Sequence, residues 1–407
     1  MAKDPNEQRD TSGRRTGLQR LLFSVNMIVA VGCVFSGAVL VYANQKLGTR
    51  KLVTIDAPTV TTVVANEWNL PPGDLSARNY LVTGADNESC KIDPNSPFAP
   101  AFANRAMMGE RSDTIMVIRV NPLNNQAAIL SFPRDMWVKI AGMTGSNRIN
   151  SAFEPKNPNK LIRTIKENFG VSIDHYVSID FCTFRDIVDA VGGVKVPFDY
   201  PTKDTRSLLN VPQAGCFEFS GEHALAYVRS RRYKYLDPVT NQWVSDGTSD
   251  YGRISRQQDF TRRMVQKALE KARTNPKIAT DILNTALKNV ITDSKLTPLR
   301  LLQLGQAMRN FDSTTMGTYI APGKGTMIGD KSVILPNLDE PNFKKVLLVF
   351  QGKASLKTTA ATQSTIAPQT TAAGTVTVPG SPSTTLPLVN PKQSKRGITP
   401  PIDPTCK

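Results

Sequence analysis

Between Ala77 and Gly352 the chain alternates runs rich in β-branched residues with stretches whose apolar residues recur at helical spacing. "NYLVTG" (79–84), "TIMVIRV" (114–120), "QAAILSF" (126–132) and "HYVSIDF" (175–181) predict strands. "NKLIRTIKENFG" sets Leu161, Ile162, Ile165 and Phe169 on one face and ends at Gly170, which predicts a helix. "FRDIVDAVGG" repeats that pattern, "RISRQQDFTRRMVQKALEKAR" predicts a long basic helix, and "LRLLQLGQAMRNF" a later one. Such alternation predicts an α/β sandwich whose central sheet is covered on both faces. Ile187, Val188, Val191, Met264, Val265 and Leu269 lie on helical faces that suit core packing or the wall of an apolar pocket.

The ends of the chain differ from this body. "LLFSVNMIVAVGCVFSGAVLVY" (21–42) carries no charge and is long enough to cross a hydrocarbon core of about 30 Å. Val41-Tyr42-Ala43 resembles a signal-peptide cleavage site, but the apolar run exceeds the usual length of about 7–15 residues, so an uncleaved anchor over 21–43 is expected. Lys3, Arg9, Arg14, Arg15 and Arg20 precede it and assign 1–20 to the cytoplasm. The rest then lies outside, as a single-pass protein of the cell membrane with an extracytoplasmic C-terminal domain. Residues 44–76 read as a linker that can add a strand, 77–352 as the folded extracytoplasmic domain, and 353–407 as a tail. The tail includes an uncharged stretch rich in Thr, Pro, Ala and Ser (358–391), which predicts disorder.

Lys and Arg number 50 against 34 Asp and Glu, a formal charge of +16 that favours nucleic acid, anionic lipid or a phosphorylated substrate. A domain outside the membrane removes nucleic acid, and no zinc-finger, RNP-like or helix-turn-helix pattern restores it. Of five cysteines, Cys33 falls in the anchor and Cys406 in the tail. Cys90, Cys182 and Cys216 remain, and Cys182–Cys216 is the expected disulfide. His175 and His223 are the only histidines and no CxxC occurs, which argues against a zinc centre or a histidine-dependent triad.

Paired charge gathers in four places. Asp86 ends one predicted strand, Arg111 and Asp113 precede another, and Arg134 and Asp135 follow a third. The fourth group is Arg229, Arg231, Asp250, Arg253 and Gln257. In open α/β sheets ligands bind outside the carboxyl ends of strands. Carboxylates without histidine or cysteine suit a hard cation such as Mg²⁺, and arginines offer bidentate forks to phosphate. Together they describe a diphosphate site; singly, each reads more readily as a solvated surface residue or ion pair. No P-loop or dinucleotide fingerprint is present.

"RSDTIMVIRVNP", "SFPRDMWV", "RINSAF", "IDHYVSIDFCTFRDIVDAVGGVKV", "SGEHALAYVRSRR" and "DYGRISRQQDF" follow one another in an order that resembles the LytR–CpsA–Psr family of membrane-anchored cell-wall ligases, including its actinobacterial members. The resemblance implies a three-layer α/β/α sandwich with a central mixed sheet and an apolar tunnel for a polyprenyl chain. It also implies a Mg²⁺-dependent phosphotransferase. The donor is a polyprenyl-diphosphate-linked glycan, and the acceptor is a hydroxyl of peptidoglycan or another wall polymer. By matched position, Asp86 and Asp113 correspond to metal ligands. Arg111, Arg134, Arg229, Arg231, Arg253 and Gln257 correspond to diphosphate-binding residues, with Arg134, Asp113 and Asp250 catalytic. Either Asp113 or Asp250 is a candidate proton acceptor. Two departures stand out: the spacer between Asp86 and Asp113 is long, and 233–248 reads as a loop inserted beside the site. The same residues are compatible with a polyprenyl-diphosphate hydrolase or a non-catalytic envelope-binding protein.

Overall fold

Seven strands form the central sheet of the computed structural model, which describes residues 51–55, 74–86, 93–101, 111–154, 157–274, 284, 290–357, 386–401, 403 and 405–406. They are β1 (Lys51–Val53), β2 (Arg78–Asp86), β3 (Arg111–Asn121), β4 (Gln126–Phe132), β5 (His175–Asp180), β6 (Ile291–Asp293) and β7 (Gly317–Ile320). Their order across the sheet is β1-β6-β5-β2-β3-β4-β7. Pairs β1/β6, β5/β2 and β4/β7 are parallel, and β6/β5, β2/β3 and β3/β4 antiparallel, so the sheet is mixed. β1 shows that the segment before residue 77 does contribute a strand.

The expected anchor (21–43) and cytoplasmic segment (1–20) lie outside the described residues, within a separate unit spanning Met1–Thr49. Among the described residues, no helix is long and apolar enough to cross a membrane.

Among the described residues, six helices accompany the sheet: α1 (Asn159–Phe169), α2 (Phe181–Ala190), α3 (Gly221–Arg229), α4 (Ser249–Thr274), α5 (Pro298–Ala307) and α6 (Pro341–Phe350). Strand alternation decides which helix covers which face. Ile115, Val117, Ala128, Leu130 and Phe132 point to one face, where they pack with Leu161 and Ile165 of α1 and Val346 and Phe350 of α6. Their neighbours Met116, Ala127 and Ile129 point to the other face, among Val265 and Leu269 of α4 and Leu304 of α5. Leu130 is fully buried, so Leu130→Ala is expected to cost about 2–5 kcal/mol. α1 ends at Gly170, whose left-handed φ of 68° lets its N–H close on the Lys166 carbonyl. A third cluster holds Val188 and Val191 beside α2, Phe219, Tyr227 of α3 and Phe260 of α4, so these apolar positions are core.

Three expectations need correction. The segment 233–248 is not an open loop: Lys234–Leu236 and Trp243–Ser245 pair as a hairpin in a small sheet with Thr202–Asp204 and Leu209–Val211. The tail expected to be disordered is ordered over 386–401. Leu388–Val389 pairs in parallel with Ser355–Leu356, and the main chain continues across the domain through bonds from Ser394 N to Thr318 O (2.9 Å) and Arg396 N to Ser255 Oγ (3.0 Å). Finally, Cys216 pairs with Cys406, not with Cys182. The returning tail brings their Cα atoms to 5.5 Å, within the range a disulfide spans. Cys182 is bonded in a different disulfide.

Candidate active site

The site begins with an irregularity between β2 and β3. Asp86 pairs with Arg111 and Ala85 with Ser112, but Gly84 pairs with Thr114, leaving Asp113 as the extra residue of a β-bulge. A bulge bends its strand and re-aims the unpaired side chain. Ser112 Oγ bonds the Thr114 carbonyl at 2.7 Å across the kink, and Gly84 offers no Cβ to crowd Thr114. Arg111 and Asp113 therefore belong to the strand instead of preceding it, and they sit at the sheet end where β2 finishes. The side chains of Asp86 and Arg111 lie outside the described residues; only their backbone pairing is placed.

Three guanidinium groups converge on Asp113. Arg134 Nη1 is 2.5 Å from Oδ1, Arg231 Nη2 is 3.0 Å from Oδ2, and Arg253 Nη1 is 3.4 Å from Oδ2. Arg253 Nη2 also donates to the Asp113 carbonyl at 2.8 Å, satisfying main chain that the bulge removes from the ladder. Burial alone would raise the Asp113 pKa, but Arg253, Arg231 and Arg134 outweigh it and hold the carboxyl below its usual range. Asp113 is therefore ionised at neutral pH.

Each arginine is positioned by different local chemistry. Arg134 follows Pro133, which ends β4 in a turn closed by Met136 N to Pro133 O. Asp135 ties Arg134 Nε (3.4 Å) to Arg148 Nε (3.3 Å) beneath it. Arg253 lies in the first turns of α4, three residues after Asp250, whose Oδ1 is 2.8 Å from Arg253 Nη2 and 3.3 Å from Arg231 Nε. Burial pushes the Arg253 pKa down to about 10, still far above neutrality. The Asp250 contacts have ion-pair distance without hydrogen-bond direction, and its Oδ2 takes no hydrogen bond from any described residue. Asp113 and Asp250 thus differ: the first is gripped at both oxygens, the second holds acceptor capacity in reserve.

Arg231 depends on a residue that sequence reasoning missed. Asp204, almost fully buried, accepts bonds from Ser230 Oγ (2.7 Å) and from the main-chain N–H groups of Arg231 (3.0 Å) and Arg232 (2.8 Å) on Oδ2, and from Arg206 N (2.9 Å) on Oδ1. This clamp sets the backbone that presents Arg231 to Asp113, while Arg232 and Lys234 point to solvent. Nothing in the local pattern "YPTKDTRS" marks Asp204, because its partners lie 26 residues away or more in the case of Ser230, Arg231 and Arg232.

The remaining expected residues flank the cluster. Arg229 closes α3 with its guanidinium 4.9 Å over the Phe181 ring. Gln257 donates its amide to the Val228 carbonyl at 3.1 Å, so it supports the end of α3 and does not reach Asp113. Arg256, fully buried, bonds Asp246 (2.8 Å) and the Ser230 carbonyl (2.8 Å), pinning both ends of the 233–248 hairpin to α4.

Three guanidinium groups facing two carboxylates leave one excess positive charge in a partly closed site, which suits an anion carrying several oxygens. The donor set also fits a hard divalent cation. Asp113 is ionised, more than a third exposed and made of oxygen donors, beside the strand end that carries Asp86. Among the described residues no three His, Cys, Asp or Glu side chains gather as a cage.

Residues 50–347 match the model of the LytR_cpsA_psr family. A Corynebacterium glutamicum protein named "Probable cell wall biosynthesis protein LcpB" is 32% identical over 241 residues, covering 59% of this chain and 50% of that protein. A Bacillus subtilis protein named polyisoprenyl-teichoic acid–peptidoglycan teichoic acid transferase TagV is 30% identical over 256 residues, 61% of each chain. The chain thus spans about half to three fifths of the length of these curated relatives. Among solved structures, the LytR-Csp2A-Psr enzyme from Actinomyces oris superposes with a TM-score of 0.52 at 23% identity, over 74% of this chain and 97% of that one. That likeness establishes the mixed α/β fold.

Proposed function

We propose that this chain, which belongs to the LytR_cpsA_psr family, transfers a phosphoglycosyl polymer from a polyprenyl-diphosphate carrier to a hydroxyl of the cell wall, with peptidoglycan as the acceptor. The observation that carries this reading is the convergence of Arg134, Arg231 and Arg253 on the bulged Asp113 at the end of the sheet. The names of its relatives, transferases of polyisoprenyl-linked teichoic acid to peptidoglycan, supply the substrate class.

Transfer of this kind asks a protein for positioning and charge neutralisation more than for a covalent nucleophile. The donor diphosphate takes the place that Asp113 now occupies opposite the three guanidinium groups. Arg134 and Arg231, both partly exposed, are free to swing onto phosphate oxygens; the buried Arg253 stays fixed and supplies a preorganised field. The acceptor oxygen attacks the phosphorus next to the sugar, and the bond to the bridging oxygen breaks. Polyprenyl phosphate leaves, and the acceptor proton passes to Asp250, whose carboxylate takes no hydrogen bond from any described residue. Mg²⁺ on Asp113, with Asp86 as a second ligand, would neutralise charge on the diphosphate. We place the domain outside the membrane, held by the apolar segment 21–43.

The test supplies the purified full chain with a lipid-linked oligosaccharide and Mg²⁺, with and without a peptidoglycan acceptor. Acceptor-dependent release of polyprenyl phosphate with capture of the glycan is the expected result. Release without acceptor would mark a hydrolase, and binding without release a non-catalytic envelope protein.

A further inference from the structure

The C-terminal strap, residues 386–401, lies beyond the segment that matches the family model and is tied down by the Cys216–Cys406 disulfide. It roofs a cleft of about 570 Å³, within the range of pockets that enclose a small organic ligand. The floor is Ile320–Pro322, at the carboxyl end of β7; Ala321 N bonds Ser131 O at 2.9 Å, three residues before Arg134. One wall is Thr248, just before α4, and Tyr251, on the turn of α4 that carries Asp250. Phe343 and Asn342 of α6 form the other. The cleft and the arginine cluster therefore share the first turn of α4, while β7 joins the cleft floor to β4, the strand that leads to Arg134.

The strap is fixed against this cleft at both sides. Asn342 bonds the main chain of Lys392 twice, through Oδ1 (2.6 Å) and Nδ2 (2.9 Å). Arg396 lies 5.1 Å over the Tyr251 ring. Gly397 takes a φ of 73° and packs so closely on Thr248 that a Cβ there would collide with its hydroxyl. Lys395 and Arg396 are exposed at the rim. Two carboxylates stand nearby: Glu340, which caps α6 through bonds from Asn342 N (3.0 Å) and Phe343 N (2.6 Å), and Asp246 beside Gly397, which is paired with Arg256. Cationic charge therefore prevails at the rim, over a lining that mixes apolar patches with hydroxyl and amide groups. A sugar ring has the same mixture of apolar face and polar edge, and a rim of two cations selects one bearing carboxylate.

We infer that the strap-roofed cleft is the subsite for the acceptor, binding a carboxylate-bearing oligosaccharide segment so that its hydroxyl reaches the Asp250 side of the arginine cluster. This rests on the transferase reading above and adds where the acceptor sits and what selects it. Because the roof is the strap, acceptor choice is a property of this chain's C-terminal segment.

The experiment uses the full chain and a soluble peptidoglycan fragment, either with free carboxylates or with those carboxylates amidated. Binding is read by calorimetry and acceptor and donor KM by transfer. The double substitution Lys395→Ser with Arg396→Ser is expected to weaken free-acid fragment binding and raise acceptor KM at least tenfold, with donor KM unchanged. Amidated fragment should bind wild type as weakly as free acid binds the variant. Cys406→Ser, which unties the strap without changing a lining side chain, should give the same acceptor defect. Equal affinity for the two fragments, or unchanged acceptor KM in an otherwise active variant, overturns the subsite and leaves the transferase reading standing. Selective binding in a wild type that transfers nothing does the reverse.

Discussion

Arg253 holds Asp113 at two points: Nη2 donates to its main-chain carbonyl at 2.8 Å, and Nη1 stands 3.4 Å from its carboxylate Oδ2. One buried guanidinium thus stabilises both the β-bulge and the charge that the bulge displays. The fork geometry makes this an arginine task, since an ammonium offers a point charge without two fixed donors. Arg253→Ala is expected to destabilise the fold by about 1–3 kcal/mol, because it strips the Asp113 carbonyl of its donor and leaves the largely buried Asp250 without its closest cation. Arg253→Lys should recover part of that stability in urea melts while transfer stays at least 100-fold down.

Arg134 behaves differently because its pair with Asp113 is partly exposed. Arg134→Ala should change stability by no more than about 1 kcal/mol and yet abolish polyprenyl phosphate release. Wild-type turnover in this variant would remove Arg134 from the site.

Asp250 and Asp113 separate by role. Asp250→Asn is expected to lower kcat by about 10²–10⁴-fold with little change in donor KM, as for loss of a proton acceptor. Asp113→Ala should instead raise the Mg²⁺ concentration needed for half-maximal activity. Chelation of the metal should stop wild-type transfer, and added Mg²⁺ should restore it. Equal Mg²⁺ dependence in wild type and Asp113→Ala would exclude Asp113 as a ligand.

Asp204 links pH to stability. Burial pushes its pKa up, but bonds from Ser230 and the main-chain N–H groups of Arg232, Arg206 and Ser207 outweigh burial and hold it below the ordinary 3.8. A depressed carboxyl contributes stability above its unfolded pKa and loses that contribution as pH falls through its folded value. Asp204→Asn should therefore cost about 2–3 kcal/mol near pH 7, with the gap from wild type narrowing below pH 3.8 in melts. A gap that stays constant into acid would mean the carboxylate charge is not what holds the Arg231 backbone.

The disulfide assignment is directly checkable. Peptide mapping of unreduced protein should recover Cys216 joined to Cys406, with Cys182 in a separate bridge. A Cys182–Cys216 peptide would restore the pairing expected from the sequence.

The main elements were legible because their signals are local. The α1 face of Leu161, Ile162, Ile165 and Phe169 and the β-branched runs of β2 to β5 record periods of 3.6 and 2 that any compact fold must respect. Arg134 could be placed at a strand end because Pro133 stops β4. The bulge could not be read, since Asp113 is the extra residue only relative to the register of β2.

By itself, the sequence determined the α/β class and brought forward Asp113, Arg134, Arg231, Asp250 and Arg253 as paired charge, because these follow from periodicity and side-chain chemistry. Only the tertiary structure decided that Asp113 is turned into the site, that Asp204 sets Arg231, that Gln257 supports α3, and that the tail returns to Cys216. Each of these depends on partners far apart along the chain. Such contacts leave no local pattern, since their free energy exists only once the packed core has brought the segments together.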